Sequence, residues 1–254
     1  MSKAASESSQ YGELLPALYQ LDRVNGWSIG MRAITHALLG RANLPPGPLL
    51  ELGCGSGVFN AELRTRYPGR TVLGMDLHPL ALAYAGRAAG AMPTLARADL
   101  HQLPLASASV SAVLALDVFD QQGVEIDAAL AESWRLLQPG GVLLLRVSAH
   151  PWLEGAHDAA FNTGRRYRRD EIGGLLHTHG FAVMRMTYAN ALLSPPLVAL
   201  RLMQRWGWLE IEETGFTNSA VNRLFAHILR FEARWLARAD LPFGISLYAL
   251  AQKP

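Results

Sequence analysis

One stretch of the chain combines residue types that are suited to holding a ligand. Residues 49–59 have the sequence LLELGCGSGVF, in which an apolar run ends at Glu51 and glycines follow at positions 53, 55 and 57. Such glycines permit positive φ angles and let the backbone approach a ligand closely. A helical pattern follows, and the free N–H groups at the start of a helix favour an anionic ligand group. The stretch therefore predicts a strand, a ligand-binding turn and a helix.

Two classes of ligand-binding turn have to be distinguished here. The dinucleotide pattern G-x-G-x-x-G needs a third glycine at residue 58 or 60, and these are Val58 and Asn60. That interpretation fails on spacing. The pattern Glu-x-Gly-x-Gly-x-Gly resembles instead motif I of the class I S-adenosylmethionine (SAM)-dependent methyltransferases.

An acidic residue follows the next predicted strand. Asp76 ends the segment 71–75, about twenty residues beyond the glycines, and an acid there can accept hydrogen bonds from both hydroxyls of a ribose. The alternative is an N-cap for the helix that starts near Pro79. With the glycine turn in place, the ribose role is favoured.

Further motifs follow in the order of the same family. Asp99-Leu100 comes before Leu103-Pro104-Leu105, the apolar strand 110–116 ends at Asp117, and Leu137-Gln138-Pro139-Gly140-Gly141 ends a helix before strand 142–148. The family often has Glu-His after the strand that ends at Asp117, where this chain has Asp120 and Gln121. A base carried by that histidine is therefore absent.

The resemblance implies SAM as cofactor, with S-adenosylhomocysteine as product, and it implies a set of contacts. The three glycines would cradle the methionine and adenosine portions, Asp76 would bind the ribose, and Asp117 would lie near the sulfonium. Asp99 and Leu100 would bind the adenine. The complete implied set is Glu51, Gly53, Cys54, Gly55, Gly57, Asp76, Leu77, Asp99, Leu100 and Asp117. No cluster of residues has metal-binding spacing, so no metal is expected.

Alternating strands and helices predict an α/β fold with a doubly wound, Rossmann-like sheet. We expect seven mostly parallel strands with helices on both faces. A single domain is predicted over residues 1–254, with a SAM-binding core at 44–189 and 242–254. Residues 11–43 and 190–241 would form a helical cap over the substrate.

The long loop 149–168 is a candidate for substrate contacts, because long loops after strand ends are often functional. Within it, His157 is the candidate general base, because imidazole titrates in a useful range. Tyr19 and Tyr167 are weaker catalytic candidates. The alternative is structural: His157 and Asp158 would pin the loop to the sheet, and the two arginines at 165 and 166 would pair with acids.

The insertion at 190–241 contains an apolar segment from Leu192, closed by Trp206 and Trp208, and a helix at 218–238. That helix carries one apolar side, formed by Val221, Leu224, Phe225, Ile228 and Trp235, with arginines largely elsewhere. The insertion could be a lid over an apolar substrate, or its Trp/Arg end could rest on a membrane surface. The packed lid, or a homodimer contact, is favoured because apolar faces are needed for packing.

Composition limits the remaining function classes. The net charge of +2, without long runs of one sign, does not indicate a nucleic-acid partner. One cysteine, Cys54, fits a reducing cytoplasm. We therefore expect a cytoplasmic enzyme that transfers the methyl group of SAM to an O, N or C atom of a small, mostly apolar molecule. The alternatives are a membrane-associated quinone or glycolipid methyltransferase and a SAM-binding protein without methyl transfer.

Overall fold

The protein is built around a seven-stranded sheet. Its structure, a computed structural model, describes residues 15–88, 94–205 and 219–254. The strand order is β3-β2-β1-β4-β5-β7-β6, with only β7 antiparallel to its neighbours. The strands are β1 (Leu49–Leu52), β2 (Val72–Asp76), β3 (Thr94–Arg97), β4 (Val110–Leu116), β5 (Leu137–Ser148), β6 (Ala182–Ala189) and β7 (Ser246–Gln252). The predicted fold class is confirmed.

Helices cover both faces of the sheet. They are α1 (described over 15–21), α2 (Gly26–Leu39), α3 (Val58–Arg66), α4 (Pro79–Ala88), α5 (Ile126–Leu136), α6 (Ala156–Ala160), α7 (Arg169–Thr178), α8 (Ser194–Arg205) and α9 (Ser219–Leu236). One apolar core lies under α5 and α7, and a second lies under α2, α3 and α9. The central strands β1 and β4 are almost entirely buried, which explains why they are continuous apolar runs rather than alternating ones.

Some predicted features lie outside the described residues. These are the start of the N-terminal cap at 11–14 and the two tryptophans Trp206 and Trp208. The division into a SAM-binding core and a helical cap stays a prediction.

Strand β5 begins five residues earlier than predicted. Leu137 already pairs with Val110, and the pairing then shifts in register before Ala112 meets Val142. Gly140 adopts φ 76° and donates its N–H to the carbonyl of Lys253 at 2.8 Å. The Pro-Gly-Gly sequence therefore forms an irregularity inside the strand instead of a turn before it.

Helix α9 is held against α2 by close backbone contact. A Cβ at Gly30 would lie 2.2 Å from the Cβ of Leu229, so only glycine allows this approach. At the other end of the contact, the Asn222 amide donates to the carbonyl of Val24 at 2.8 Å and accepts the N–H of Gly26. Helices α2 and α9 thus pack directly on each other.

The buried side of α9 differs from the predicted one. Ala226, Leu229, Ala233 and Leu236 face the core, whereas Leu224 and Trp235 are exposed. Two residues of the predicted apolar side are thus not packed on the core. Apolar residues cover more of the circumference of α9 than its packing uses, so the periodicity does not show which side is buried.

We expect Gly30→Ala to lower the free energy of unfolding by about 1–3 kcal/mol, because the added methyl group forces α2 away from Leu229. The matched control is Gly86→Ala in α4, where a Cβ meets nothing within 4 Å. That change should leave stability equal or raise it by up to about 1 kcal/mol. Urea denaturation of both variants tests this, and equal effects at the two positions would contradict it.

Candidate cofactor and active site

The glycine turn lies between β1 and α3 and depends on left-handed backbone angles. Gly53, Gly55 and Gly57 have φ angles of 65°, 50° and 72°. A Cβ at Gly53 would lie 2.6 Å from Val118, and one at Gly57 would lie 2.5 Å from Ala85. At Gly55 the nearest atom would be 3.6 Å away, on the ring of Tyr19. The outer two glycines thus allow no side chain, whereas a Cβ at the middle one would be in ordinary van der Waals contact with Tyr19.

Asp76 lies at the end of β2 and is tied to the glycine turn. One carboxylate oxygen accepts the N–H of Gly55 at 2.9 Å, and the other accepts the N–H of His78 at the same distance. Each oxygen has a second lone pair, so the carboxylate can still accept two ligand hydroxyls. Both predicted roles are compatible with this geometry, since the bond to His78 orders the entry into α4.

Glu51 lies under the turn as a buried carboxyl. It is 4% exposed, and burial raises its pKa to about 8, with further increases from the nearby charges of Asp22, Asp76 and Glu62. Its Oε2 atom has no hydrogen-bond partner among the described residues. An orphaned acid next to other acids is suited to a cationic ligand group.

Cys54 and Leu77, the other two predicted contacts near the turn, differ in exposure. Cys54 is buried, and its N–H donates to the carbonyl of Met75 at 3.0 Å. Burial and the charges of Glu51 and Asp76 raise the pKa of its thiol. The side chain of Leu77 is exposed at the carboxyl edge of the sheet.

Helix α1 covers the glycine turn. The ring of Tyr19 lies over Gly55 and contacts the ring of Tyr84, with 5.4 Å between the centroids. Asp22 accepts a hydrogen bond from the hydroxyl of Ser56 in the turn. Helix α1 and the residues just after it therefore contact the glycine turn, whereas the predicted cap over the substrate stays a prediction.

Asp99 and Leu100 follow β3 at the same edge of the sheet. Asp99 is paired with His101. The ring Nδ1 of His101 lies 2.6 Å from Oδ1 of Asp99, and the backbone N–H of His101 donates to the same oxygen at 2.9 Å. These bonds hold the pKa of Asp99 below its usual range. Leu100 is buried against the core and can offer an apolar surface and its backbone to a ring.

Asp117 is held by a partly buried arginine, Arg146, that the sequence analysis missed. Both of its oxygens accept from Arg146, at 2.7 and 2.5 Å, and its own φ is 52°. Burial alone would lower the pKa of Arg146, but Asp117 and Tyr248 raise it above its usual range. The charge of Asp117 is thus neutralised within the protein, which leaves less of it for a cationic sulfonium.

Asp120 occupies the position where the family often has glutamate. It is 2% exposed, and burial together with the charge of Asp117 raises its pKa to about 6. Its carboxylate accepts the N–H of Ser148 at 2.7 Å, and its carbonyl accepts those of Gly164 and Arg165. Asp120 therefore joins the ends of β4 and β5 to the loop 149–168.

A buried ion pair pins that loop. Arg166 donates to both oxygens of Asp158, at 2.8 and 2.5 Å, and to the carbonyl of Ala149 at 3.0 Å. Arg165 pairs with Glu171. The structural alternative for the two arginines and Asp158 agrees with these contacts.

The catalytic candidates of the loop lie in different surroundings. His157 is partly exposed on α6, and its ring packs on that of Phe161 with 4.4 Å between the ring centroids. Tyr167 is buried, and its burial raises the pKa of the phenol. A buried phenol with a raised pKa is a poor base, so the geometry favours His157 of the two.

His150, just past β5, is a candidate that the sequence analysis did not single out. Its ring stacks between Tyr188 and Phe243, at centroid distances of 5.1 and 4.9 Å, and burial lowers its pKa. The ring bonds to the carbonyl of Gly244, whereas its buried Nε2 has no partner in the described part of the chain. A cavity of about 430 Å³ opens beside it, lined also by Trp152. A neutral imidazole with a lone pair on Nε2 can accept a proton.

Comparisons with known proteins agree with this geometry. Residues 50–145 match a family described as "Methyltransferase domain". Demethylmenaquinone methyltransferase of Deinococcus radiodurans is 30% identical over 177 residues, which cover 68% of this chain and 69% of that protein. Malonyl-[acyl-carrier protein] O-methyltransferase of Serratia marcescens is 36% identical over 129 residues, but the match spans only 49% of its length.

Solved structures share the fold. A SAM-dependent methyltransferase of Thermotoga maritima, described as a possible histamine N-methyltransferase, superimposes with a TM-score of 0.61. The match covers 98% of this chain and 99% of that one at 13% identity, so it bears on the fold alone. Taken with the sequence matches, the chain belongs to the class I SAM-dependent methyltransferase family.

The buried acid Glu51 makes stability depend on pH. The pKa of Glu51 is about 8 in the folded protein, and its ordinary value is 4.5. The contribution of Glu51 to the free energy of unfolding is therefore complete below pH 4.5 and is lost as the pH rises through 8. We expect Glu51→Gln to gain stability relative to the unmodified protein between about pH 5 and 9, by about 1–4 kcal/mol. Urea denaturation across this range measures it. The control is the exposed Glu154→Gln, and an equal gain there would contradict the prediction.

Proposed function

We propose that this protein transfers the methyl group of SAM to a small, mostly apolar molecule. The observation that carries the proposal is the left-handed glycine turn, with Asp76 beside it and the buried acid Glu51, whose Oε2 has no partner among the described residues, beneath it. Family membership supports the cofactor, and the names of the relatives support a small-molecule acceptor. The two relatives are named for different acceptors, malonyl-[acyl-carrier protein] and demethylmenaquinone, so the acceptor of this chain is part of the proposal.

The residues present fit the cofactor. Gly55 places bare backbone beneath the ring of Tyr19, the orphaned Oε2 of Glu51 suits an ammonium group, and Asp76 retains lone pairs for hydroxyls. Asp99, Leu100, Cys54 and Leu77 complete the proposed set. When bound, SAM supplies an electrophilic methyl carbon that a nucleophile attacks in line.

The protein's own contribution would be to position the reactants and to exclude water. The rings of Tyr19 and Tyr84 cap the turn from α1 and α4, and Asp22 bonds to Ser56 below them. Positioning of this kind can be worth about 7–11 kcal/mol of the barrier. Asp117 lies at the end of β4, where its pairing with Arg146 fixes the backbone beside the reaction site.

Two histidines compete for the role of general base. His157 is accessible on α6, and His150 offers an unpartnered Nε2 next to a cavity. Either could take a proton from an oxygen or nitrogen acceptor. A carbon acceptor of the quinone type would make a membrane-associated enzyme the second candidate, which the name of the Deinococcus relative supports. The cytoplasmic location and a homodimer stay predictions.

A labelling experiment tests methyl transfer. The purified protein is incubated with methyl-labelled SAM and an extract of its source organism, and the label is partitioned between water and organic solvent. We expect label in an organic-soluble product. SAM binding by calorimetry without any transfer would favour a SAM-binding protein that does not transfer methyl groups.

Replacement of Asp76 tests the cofactor site. Asp76→Ala removes the acceptor for two hydroxyls, so we expect SAM to bind roughly 10–100-fold more weakly, as for the loss of hydrogen bonds to a charged group. The control is Asp127→Ala, an exposed acid in the first turn of α5. Unchanged affinity in Asp76→Ala would exclude the ribose role.

The acceptor recovered from the labelling experiment serves as the substrate in a test for the general base. Loss of a general base should lower kcat/KM by about 10²–10⁴ and abolish its fall at low pH. We expect this for His157→Ala, with His150→Ala as the comparison. The opposite result would assign the base to His150, and two active variants would mean that no histidine base is used.

A further inference from the structure

The outer side of α9 carries a row of exposed apolar side chains. Leu224, Phe231 and Trp235 are 55%, 57% and 53% exposed. At 3.6 residues per turn, these positions lie within roughly 40° of one another around the helix. Three large exposed apolar residues in one row are unusual on the surface of a protein that uses the opposite side of the same helix for its core.

A basic row runs beside the apolar one. Arg223, Arg230 and Arg234 precede the three apolar residues by one position each, and His227 lies between them. All four are exposed. The sole acid in the helix sequence, Glu232, is buried and accepts the backbone N–H groups of residues 190 and 192. The outer side of α9 is therefore apolar and uniformly cationic along its whole length.

Neither row is needed to hold the helix in place. The inner side packs on α2 through Leu229, Ala233 and Leu236, and Asn222 fixes the N-terminal end. Stability of the fold thus accounts for the inner residues only. The outer rows need another explanation, which has to account for their charge as well as their apolar area.

We propose that the outer side of α9 docks on the surface of a membrane that contains anionic lipids. A helix with Trp and Phe in one row and arginine in the next lies in the plane of the interface, with its apolar row about 5–10 Å into the headgroup boundary. The arginines would meet the lipid phosphates, and the indole of Trp235 suits the headgroup level. In the described residues no helix is long and apolar enough to cross a bilayer, so the contact is peripheral.

The positive charge of the outer side of α9 favours a membrane over a second copy of the chain as its partner. A twofold contact through α9 would bring two rows of arginine together, and α9 offers no exposed acid to offset them. Like charges at such a contact are unfavourable. An anionic lipid surface complements both rows at once.

The N-terminal end of α9 contacts the turn that leads from the cap over the glycine turn into α2. Asn222 bonds to Val24 in the turn between α1 and α2, and both Val24 and Leu21 are exposed there. From that turn, α1 leads to Tyr19 and Asp22 above the site. Docking would thus set the cap at the lipid surface, where an apolar methyl acceptor is concentrated. The docking itself requires no methyl transfer, so it can fail or succeed independently of the proposed function.

Vesicle flotation tests the proposal. The full chain is mixed with vesicles of phosphatidylcholine, with or without phosphatidylglycerol, at low salt and without cofactor. We expect flotation with the anionic vesicles only, and a loss of binding as salt is added. Arg230→Gln with Arg234→Gln should lower the partition coefficient roughly 30-fold, and Phe231→Ser with Trp235→Ser on the order of tenfold or more.

Matched controls separate this surface from general effects. Val183→Ser with Met184→Ser removes two exposed apolar side chains of β6, and Arg168→Gln with Arg169→Gln removes two exposed arginines. Both controls should float like the unmodified protein. Failure of the unmodified protein to bind anionic vesicles, or equal losses in the controls, would overturn the proposal. So would a dimer, measured by sedimentation, that Phe231→Ser with Trp235→Ser converts to a monomer without any vesicle binding.

Discussion

The close contact between the glycine turn and its neighbours is the constraint on which the rest of the site depends. Gly53 touches Val118 beyond β4, and Gly57 touches Ala85 in α4, at distances that leave no room for a side chain. These two contacts fix the turn relative to β4 and α4. They thereby fix where the acids at the strand ends lie relative to one another, since Asp76 bonds to the turn and Asp117 adjoins Val118. The N-terminal segment then covers Gly55 with the ring of Tyr19 and is joined to the turn by the hydrogen bond from Ser56 to Asp22.

Local patterns in the sequence were sufficient to predict a doubly wound, mostly parallel sheet, the glycine turn and the acids at the carboxyl edge. Each of these is encoded within a few residues: an apolar run, alternate glycines, an acid at a strand end. The start of β5 was missed because Pro-Gly-Gly commonly ends a segment, and here the pairing with Val110 and Lys253 overrides that tendency.

Features that join distant segments could not be predicted in this way. Arg146 is one polar residue in an apolar strand, and its partners Asp117 and Tyr248 come from two other strands or their ends. His150 owes its surroundings to Tyr188 and Phe243, which become neighbours only when β5, β6 and β7 assemble. The sequence grouped Leu224 and Trp235 with partly buried residues on one apolar side, because the apolar residues of α9 cover more than one side of the helix. Packing against Gly26 and Gly30 decides which side is buried.

The burial of Cys54 has a practical consequence. It is the sole cysteine in the sequence, its side chain is shielded under the glycine turn, and its thiol stays protonated because burial raises its pKa. Alkylating reagents attack accessible thiolates, so the native residue is protected from them in the folded state. A cysteine introduced at any exposed position would therefore be the one that reacts. With one such cysteine added, the chain would take up a single spin or fluorescent label at that position without prior removal of the native thiol.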